Sequence, residues 1–392
     1  MKSIYLDYAA TTPLDPLILE EMLPFMGNRE GFGNPSSVTH SFGSEASQAI
    51  ERAALQVSKL INAKEEEIVW TSGATEANNL AIAGVAQFRQ SRGRNIITTA
   101  LEHKSVLSTC ASLENQEFST TYIKPNSQGL ISVSDLESAL RPETILVSVM
   151  HANNEIGVIQ KISEIGTLCR SKDILLHVDA VQTIGRLPID VQEQKIDLLS
   201  INAHKACGPK GIGALYLNAE RISRVEPLLY GGSQQRGMRP GTLPTHQIVG
   251  MGKTMEVADS VMEEEASRVT NLRKRLWGKL EELPGIQLNG HPSRRISSIL
   301  NVSVAGLEGE SLRYALIGLA VASGSACNSA TDEPSYVLKS LGRSDQLAEA
   351  SIRFSLGRYT VNEEIDHAAE VFSDAVEYLQ ALSPSNYLEA SI

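Results

Sequence analysis

The amino-acid sequence predicts an α/β protein with a mainly parallel sheet flanked by helices, plus a smaller α+β domain. Short apolar runs bounded by polar residues alternate with stretches of helical periodicity between residues 44 and 217. This repeated strand–helix order is typical of a parallel sheet with helices on both faces. With 392 residues, the chain also exceeds what one hydrophobic core supports, which favours a second domain.

The elements of the sheet are predicted from apolar runs of strand length and from apolar positions at helical spacing. Residues 1–15 show neither pattern and are predicted to form an irregular arm. The predicted helices begin at Ser44 and Ser105 or span Glu76–Ala86, Ser132–Leu140 and Ile162–Ser171. The predicted strands are Glu67–Thr71, Asn95–Thr99, Ser119–Ile123, Thr144–Met150, Ile174–Val178, Ile196–Ile201 and Gly213–Leu217.

The C-terminal part of the chain begins after a glycine-rich loop and a long helical region. The loop spans Tyr230–Thr242, and the helical region spans about His246–Leu283. Shorter elements follow: strand Ser298–Val304, helix Gly309–Ile317, a small-residue loop at 322–334, strand Ser351–Ser355 and helix Glu363–Leu382. We expect a large domain at 16–255. Residues 1–15 and 256–392 are expected to form a small domain that carries the loop 322–334.

Composition and charge exclude several classes of function. A net charge of −11 argues against direct nucleic-acid binding, which needs a basic footprint. The sequence shows neither a signal peptide nor an apolar stretch of membrane-spanning length. The four cysteines form no CxxC pair and the histidines show no HxxH spacing, so we expect no disulfide framework and no metal site. These features indicate a cytoplasmic protein.

Polar residues cluster where the predicted strands end. They are Thr75, His103, Asn153, Asn154, Asp179, Gln182, His204 and Lys205. Ligands of parallel sheets bind at the carboxyl ends of the strands, so we expect these side chains to converge. The turn before Glu76 is either a phosphate site at a helix N-terminus or a plain strand–helix connection.

Asp179 and Lys205 stand at the ends of two successive predicted strands. A lysine amine and a carboxylate in this arrangement suit pyridoxal phosphate (PLP), because the amine forms a Schiff base and the carboxylate keeps the pyridine nitrogen protonated. The alternative is a turn-capping aspartate and a solvated lysine.

The four cysteines differ in their surroundings. Cys110 and Cys169 lie at helical spacing from apolar residues and are predicted to be core residues. Cys207 follows Lys205 by two positions and is either adjacent to the active site or buried. Cys327 lies in the small polar segment SGSACNSA, with no apolar partner larger than alanine within three residues. It is therefore the candidate nucleophile.

Several sequence blocks together resemble the NifS/IscS-like cysteine desulfurases, in the class V branch of the fold-type I PLP-dependent transferases. The resemblance runs nearly end to end. The blocks are YLDYAATTPLDP, FGNPSS, TSGATEANNLAI, EHKSVL, HANNEIGV, HVDAVQTIG, GPKGIGALY, RGMRPGTLP, SGSACNSA and SIRFSLGR. The SGSAC segment is similar to that of the group that serves iron–sulfur cluster assembly.

The resemblance implies a role for each matching residue. Lys205 would be the Schiff-base lysine, Asp179 the partner of the pyridine nitrogen, and His103 the ring-stacking residue that assists proton transfer. Ala74, Thr75, Asn202 and His204 would bind the cofactor phosphate, Gln182 the ring oxygen, and Thr242 the phosphate in the neighbouring subunit of a homodimer. Asn154 and Arg353 would hold the substrate carboxylate. Asn202 and the pair Ala206–Cys207 depart from the residues that relatives commonly carry there.

The implied activity is removal of sulfur from L-cysteine, which gives L-alanine and a persulfide on Cys327. The persulfide sulfur would pass to an acceptor protein of iron–sulfur cluster assembly, tRNA thiolation or DNA phosphorothioate modification. Other class V activities remain as alternatives, namely an aminotransferase or a selenocysteine lyase. A non-catalytic sulfur-transfer scaffold is a further alternative.

Overall fold

A mixed sheet forms the centre of the computed structural model, which describes residues 3–28, 30–323 and 333–382. Its strands are β2 (Ile68–Thr71), β3 (Asn95–Thr99), β4 (Ser119–Ile123), β5 (Thr144–Met150), β6 (Leu175–Asp179), β7 (Leu198–Asn202) and β8 (Gly213–Leu217). They lie side by side in the order β2-β8-β7-β6-β5-β3-β4. Strands β3 to β7 pair in parallel, whereas β8 runs antiparallel between β7 and β2. The predicted mainly parallel sheet is confirmed.

Helices cover both faces of this sheet. They are α1 (Pro16–Met22), α2 (Ser41–Leu60), α3 (Ala74–Arg89), α4 (Lys104–Glu114), α5 (Val133–Ala139) and α6 (Ile162–Ser171). Alternate residues of each buried strand serve opposite faces: Leu146 packs in the cluster that contains α3 and α4, and Val147 in the cluster that contains α2 and α6. Both faces are therefore closed to solvent, which explains the continuous apolar runs in the sequence.

A second, smaller sheet follows in the C-terminal part. It has the order β12-β13-β10-β9 and consists of β9 (Ile286–Leu288), β10 (Ile299–Val304), β12 (Ala322–Ser323) and β13 (Ser351–Ser355), all paired antiparallel. The helices of this part are α8 (Gly309–Ala315), α9 (Tyr336–Ser340), α10 (Asp345–Glu349) and α11 (Asn362–Leu382). Phe354 of β13 meets Phe372 of α11 edge to face, with 5.4 Å between ring centroids.

One long helix, α7 (Thr245–Leu280), connects the two parts. Its first half contributes Ile248 and Met255 to the core of the large sheet, and its second half contributes Leu272 and Leu276 to the core of the small one. The predicted helical region is confirmed. The division of the chain into domains at residue 255 remains a prediction, and that residue lies within α7.

The N-terminal arm is more regular than predicted. Its strand β1 (Ile4–Tyr5) pairs in parallel with β11 (Leu319–Ala320), and Leu6 is fully buried in the C-terminal core. The prediction of an irregular arm was wrong here because the arm's partners lie more than three hundred residues away, beyond the reach of local periodicity. Among the described helices, none combines the length and apolar composition that a bilayer crossing requires.

Candidate active site

A cavity of about 570 Å³ opens at the carboxyl ends of the parallel strands. The predicted site residues that line it are Ala74, Thr75, His103, Asn154, Asp179, Gln182, Asn202, His204, Lys205 and Arg353. The size suits a cofactor together with a small substrate. Asn153, which the sequence also placed at this rim, does not line the cavity. Its side chain instead holds a turn, accepting hydrogen bonds from the backbone N–H groups of Glu155 and Ile156.

Asp179, the last residue of β6, presents a fixed carboxylate to the cavity. Its Oδ2 atom accepts a hydrogen bond from Asn78 Nδ2 at 2.8 Å, and its Oδ1 atom accepts one from the Val181 N–H at 3.0 Å. Asn78 on α3 also donates to Ser105 Oγ at 2.8 Å. Donors from two elements therefore fix the orientation of this carboxylate, which can face a protonated ring nitrogen.

His103 caps the N-terminus of α4. Its Nδ1 atom accepts a hydrogen bond from the Ser105 N–H at 3.1 Å, which places the ring proton on Nε2. Burial lowers the pKa of His103, and the positive charge of Lys205 lowers it further, whereas Asp179 opposes the shift. His103 is therefore neutral at pH 7, with Nδ1 already engaged and Nε2 available for proton transfer.

One end of the cavity is built to receive an anion. Helix α3, with 16 residues, begins there at Ala74 and Thr75, so its unpaired N–H groups and positive dipole end face the cavity. Gly213 on β8 permits the close approach of this turn, since a Cβ at Gly213 would lie 2.7 Å from the backbone of Gly73. Asn202 also lines this end, and its Nδ2 group could donate to a phosphate, whereas its buried Oδ1, which has no hydrogen-bond partner among the described atoms, can only accept.

His204 lies at the same end. Its Nδ1 atom is 3.2 Å from Thr11 Oγ1. Burial, followed by the positive charges of Lys205 and Lys210, lowers the pKa of His204 to about 4. A neutral His204 can donate one hydrogen bond to a phosphate oxygen, and Lys210 adds a positive charge to this part of the lining.

Arg353 enters the cavity from β13 of the smaller sheet. It is 5% exposed and donates from Nη1 to the Asn154 carbonyl at 2.9 Å and from Nη2 to Asp7 Oδ1 at 2.7 Å. A guanidinium held in this way presents a planar fork to a carboxylate ligand. The cavity therefore combines residues of both sheets.

A family model described as Aminotransferase class-V matches residues 4–367. The chain belongs to the class V aminotransferase family. Within the family it belongs to the cysteine desulfurases: cysteine desulfurase IscS of Shewanella woodyi is 54% identical over 381 residues, 97% of this chain and 94% of that protein. A solved NifS-like protein matches with a TM-score of 0.89 and 35% identity over 96% of this chain and 100% of that one. SspA in complex with cysteine matches with a TM-score of 0.81 and 38% identity over 92% and 100%.

Class V aminotransferases use PLP, and the cavity residues fit that cofactor. An anion end at α3, a fixed carboxylate at Asp179 and an amine at Lys205 are the donor set that PLP requires. The ammonium of Lys205 donates to the backbone carbonyls of Ala9 and Ala10, the latter at 2.7 Å. Its own backbone carbonyl accepts from Arg186 at 2.7 Å, which fixes the main chain at this position.

The sequence patterns did not indicate that the N-terminal arm forms a wall of the site. Asp7, Ala9, Ala10 and Thr11 line the cavity. Gln182 Nε2 also donates to the Ala9 carbonyl at 3.1 Å. Backbone carbonyls carry no side-chain signature, so only the block YLDYAATTPLDP could have indicated these residues.

A buried carboxyl group behind the cavity was also missed. Glu102 Oε1 accepts hydrogen bonds from Thr99 Oγ1 at 2.7 Å and from the Met150 N–H at 3.0 Å. Burial raises the pKa of Glu102 to about 8, and the negative charge of Asp179 adds to the shift. Glu102 is therefore protonated at pH 7 and does not compete with Asp179 as an anion.

Three further predicted positions lie elsewhere. Thr242 is exposed and does not line the cavity of its own chain. Cys327 lies outside the residues that the structure describes. Cys207, with Ala206, lines a second cavity of about 20 Å³ and does not line the cofactor cavity. The prediction of buried Cys110 and Cys169 is confirmed, since both are 0% exposed.

Proposed function

We propose that this chain is a PLP-dependent cysteine desulfurase that transfers sulfur from L-cysteine to Cys327 and releases L-alanine. One observation carries the proposal: a single cavity combines Lys205, Asp179 and His103 with a carboxylate-binding arginine, Arg353. The lysine, aspartate and histidine suit chemistry at an amino acid Cα, and the arginine suits the substrate's carboxylate.

The cofactor would be held at three points. Ala74, Thr75, Asn202 and His204 would bind the phosphate, Gln182 the ring oxygen, and Asp179 the ring nitrogen. When bound, PLP supplies an electron sink for negative charge that develops at the substrate Cα.

Lys205 and His103 would move protons. As a neutral amine, Lys205 would accept the proton that leaves the substrate Cα, and the carbonyls of Ala9 and Ala10, to which its Nζ atom donates, would orient it. Neutral His103, with its proton on Nε2, can donate that proton to the reacting groups and take it back at the same atom afterwards.

Arg353 and Asn154 would bind the substrate's carboxylate and so select an amino acid. The contacts of Arg353 with the Asn154 carbonyl and with Asp7 orient the guanidinium in advance, which reduces the ordering cost on binding. The related SspA has been solved in complex with cysteine, which supports cysteine as the substrate.

Chain connectivity supports Cys327 as the nucleophile. In strand β12, Ala322 pairs with Arg353 and Ser323 with Ile352. Cys327 follows Ser323 by four residues (327 − 323), a span of at most about 14 Å. The thiol is therefore tethered close to the arginine that would bind the substrate.

The sulfur step balances without a further reactant. The Cys327 thiolate attacks the sulfur of the substrate, an S–S bond forms, and the Cβ–S bond breaks with its electron pair on carbon. Protonation of that carbon gives L-alanine, so one thiol and one L-cysteine become one persulfide and one L-alanine.

We further propose that the persulfide passes to an acceptor protein and that the enzyme is a homodimer. The identity with IscS favours an acceptor of iron–sulfur cluster assembly, with tRNA thiolation and DNA phosphorothioate modification as alternatives. In the dimer, Thr242 would reach the phosphate site of the neighbouring subunit. Because the reaction needs a free thiol, we place the protein in the reducing cytoplasm.

An absorbance spectrum with an alanine assay tests this function. Wild type and Cys327→Ala should both show the band of bound PLP, and both bands should change on addition of L-cysteine. Of these two proteins, the wild type alone should release L-alanine. Cys207→Ala serves as the matched cysteine control and should behave as wild type. Alanine release that ignores Cys327 would overturn the assignment and favour another class V activity.

A further inference from the structure

Glu76, in the first turn of α3, places a carboxylate at the anion-binding end of the cavity. It lines the cavity together with Ala74 and Thr75, and its Oε2 atom accepts a hydrogen bond from the Ser72 N–H at 2.7 Å. The carboxylate therefore lies at the turn whose N–H groups would hold a phosphate. An anion at a helix N-terminus stabilises the helix, but here it also competes with a phosphate for the same positive end.

Glu76 remains ionised in this position. Its side chain is only 16% exposed, and burial alone would raise the pKa of Glu76. The hydrogen bonds that Arg239 and Ser72 donate, together with the positive charge of Arg239, outweigh burial and lower this pKa below its usual value. A full negative charge is therefore present at pH 7 at the end of the cavity that a phosphate would occupy.

Arg239 compensates this charge from the loop before α7. Its Nε atom donates to Glu76 Oε1 at 2.7 Å and its Nη2 atom to Glu76 Oε2 at 3.2 Å, a two-point contact that matches the planar guanidinium to the carboxylate. The side chain of Arg239 is 19% exposed, so solvent screens this pair less than it screens a surface ion pair. Arg239 does not itself line the cavity, so it acts on a ligand there through Glu76.

Gln235 fixes the loop that carries Arg239. Its Nε2 atom donates to the Trp70 carbonyl at 2.8 Å and to the Arg239 carbonyl at 3.2 Å, and its Oε1 atom accepts from the Trp70 N–H at 2.5 Å. Trp70 belongs to β2, the strand at the edge of the large sheet that leads into the turn at Ser72. The loop and the turn are therefore held on one strand, which keeps Arg239 within reach of Glu76.

We propose that Glu76 and Arg239 are positioning residues for the cofactor phosphate: Glu76 holds the turn, and Arg239 cancels the charge that would otherwise repel the phosphate. The inference rests on the function proposed above, since it concerns how the PLP site is built. Without Arg239, the carboxylate of Glu76 would face the phosphate uncompensated, in a partly buried site where charge repulsion is stronger than in water.

The test compares PLP with pyridoxal, which has the same ring but no phosphate group. The Kd of each ligand is measured by absorbance titration of the full chain freed of PLP. The variants are Arg239→Gln, Glu76→Gln and the double variant, in which glutamine can still accept from the Ser72 N–H. The matched control is Arg275→Gln. Arg275 on α7 makes the same two-point contact with Asp366 on α11, at 2.7 Å for both hydrogen bonds, and neither residue lines the cavity.

Arg239→Gln should weaken PLP binding about 10-fold, because the phosphate then meets an uncompensated negative charge. Its pyridoxal binding should stay within about twofold of wild type, which also shows that the variant is folded. Glu76→Gln should bind PLP at least as tightly as wild type does. The double variant should recover most of the affinity that Arg239→Gln loses, and Arg275→Gln should match the wild type for both ligands.

An unchanged PLP Kd in Arg239→Gln would overturn the inference. So would a loss that is equal for both ligands, or one that the double variant does not restore, because the arginine would then act only through the structure of the loop. If the wild type itself forms no PLP absorbance band, the proposed function fails. A wild type that binds PLP beside an unaffected Arg239→Gln refutes this inference alone.

Discussion

Backbone conformation determines the role of Cys207 at the scale of a single residue. It has a positive φ of 67°, and its N–H donates to Thr12 Oγ1 at 2.8 Å while its carbonyl accepts from the Asp15 N–H at 2.9 Å. This geometry directs the thiol into the small cavity beside Arg358 and Glu265. Sequence alone left two roles open because no local pattern marks Cys207 as a residue of positive φ.

Cys207 is expected to be an inert thiol. Burial raises its pKa, which lowers the thiolate fraction that reacts at neutral pH. Native protein should therefore incorporate iodoacetamide at Cys327 and not at Cys207, as measured by peptide mass. Cys207→Ala should form persulfide within about twofold of wild type and lose about 1 kcal/mol of stability. Loss of persulfide in Cys207→Ala at unchanged PLP content would instead assign that thiol to the reaction.

The residues of the cavity differ in how far the sequence predicts them. Asp179 directly follows its predicted strand, and His103 and Lys205 come within about four residues of the ends of theirs, so the strand-end rule brings the three together. Arg353 lies within a strand of the other sheet, where no local pattern marks it, and only the block SIRFSLGR indicated it. Asp7 lies in the arm, and its contact with Arg353 joins residues 346 positions apart.

At the scale of elements, the central strands are joined by a buried histidine. His177 of β6 is 0% exposed, with Nδ1 at 2.8 Å from Ser148 Oγ on β5 and Nε2 at 2.9 Å from Ser200 Oγ on β7. One neutral imidazole therefore bridges three neighbouring strands, two residues before Asp179. Burial lowers the pKa of His177 to about 3.

This bridge predicts that the protein loses stability in mild acid. The unfolded chain binds a proton at His177 below pH 6.5 and the folded chain binds one only near pH 3, so protons favour unfolding between these values. The free energy of unfolding should fall with pH below 6.5, by up to about 1.4 kcal/mol per pH unit for each such histidine. His151, whose pKa burial lowers to about 4, adds to the same slope.

Urea unfolding of wild type and His177→Gln at several pH values between 7.5 and 5 measures this effect. Glutamine keeps one donor and one acceptor for the two serines and does not titrate. The slope should be smaller in His177→Gln and unchanged in His367→Gln, whose imidazole is half exposed on α11. Equal slopes in all three proteins would mean that His177 does not contribute to the acid sensitivity.

Several elements have the bounds that the sequence predicts. Strands Ser119–Ile123, Thr144–Met150, Gly213–Leu217 and Ser351–Ser355 and helix Ile162–Ser171 end at the predicted residues. Helices α9 and α10 and strands β11 and β12 were not predicted, because five residues are little more than one helical turn and two residues are too few to show the alternation of a strand. Of these four elements, strand β12 has the most direct contact with the site, since its Ala322 pairs with Arg353.

At the scale of the whole molecule, the active site exists only where the two sheets meet. The large sheet contributes Asp179 and Lys205, the small sheet contributes Arg353, and the arm lies between them. Helix α7 packs into both cores and so fixes the position of one sheet relative to the other. The sequence predicted each sheet from local patterns, whereas the junction depends on contacts between distant segments.

The loop before α7 presents apolar side chains to solvent, which favours association with a second copy. Leu229 is 51% exposed and Tyr230 is 90% exposed, and the same loop ends at Thr242. If Thr242 completes the phosphate site of the partner subunit, a variant without Lys205 and a variant without Thr242 should complement each other. Lys205→Ala alone should be inactive, and Thr242→Ala alone should bind PLP more weakly, because the phosphate loses a hydrogen bond.

A mixed dimer of the two variants contains one site that keeps both Lys205 and a partner's Thr242. Co-refolding equal amounts should therefore restore about one quarter of the wild-type alanine rate, since half of the random dimers are mixed and each has one intact site of two. The fraction of the protein that binds PLP tightly should recover in the same proportion. The control is Tyr378→Phe, at a position that is 64% exposed on α11, mixed with Lys205→Ala, which measures how far mixing with an inactive chain alone lowers the alanine rate. If the mixture shows no gain over Thr242→Ala, and light scattering gives the mass of a single chain, each chain builds its own phosphate site and Thr242 has no role in it.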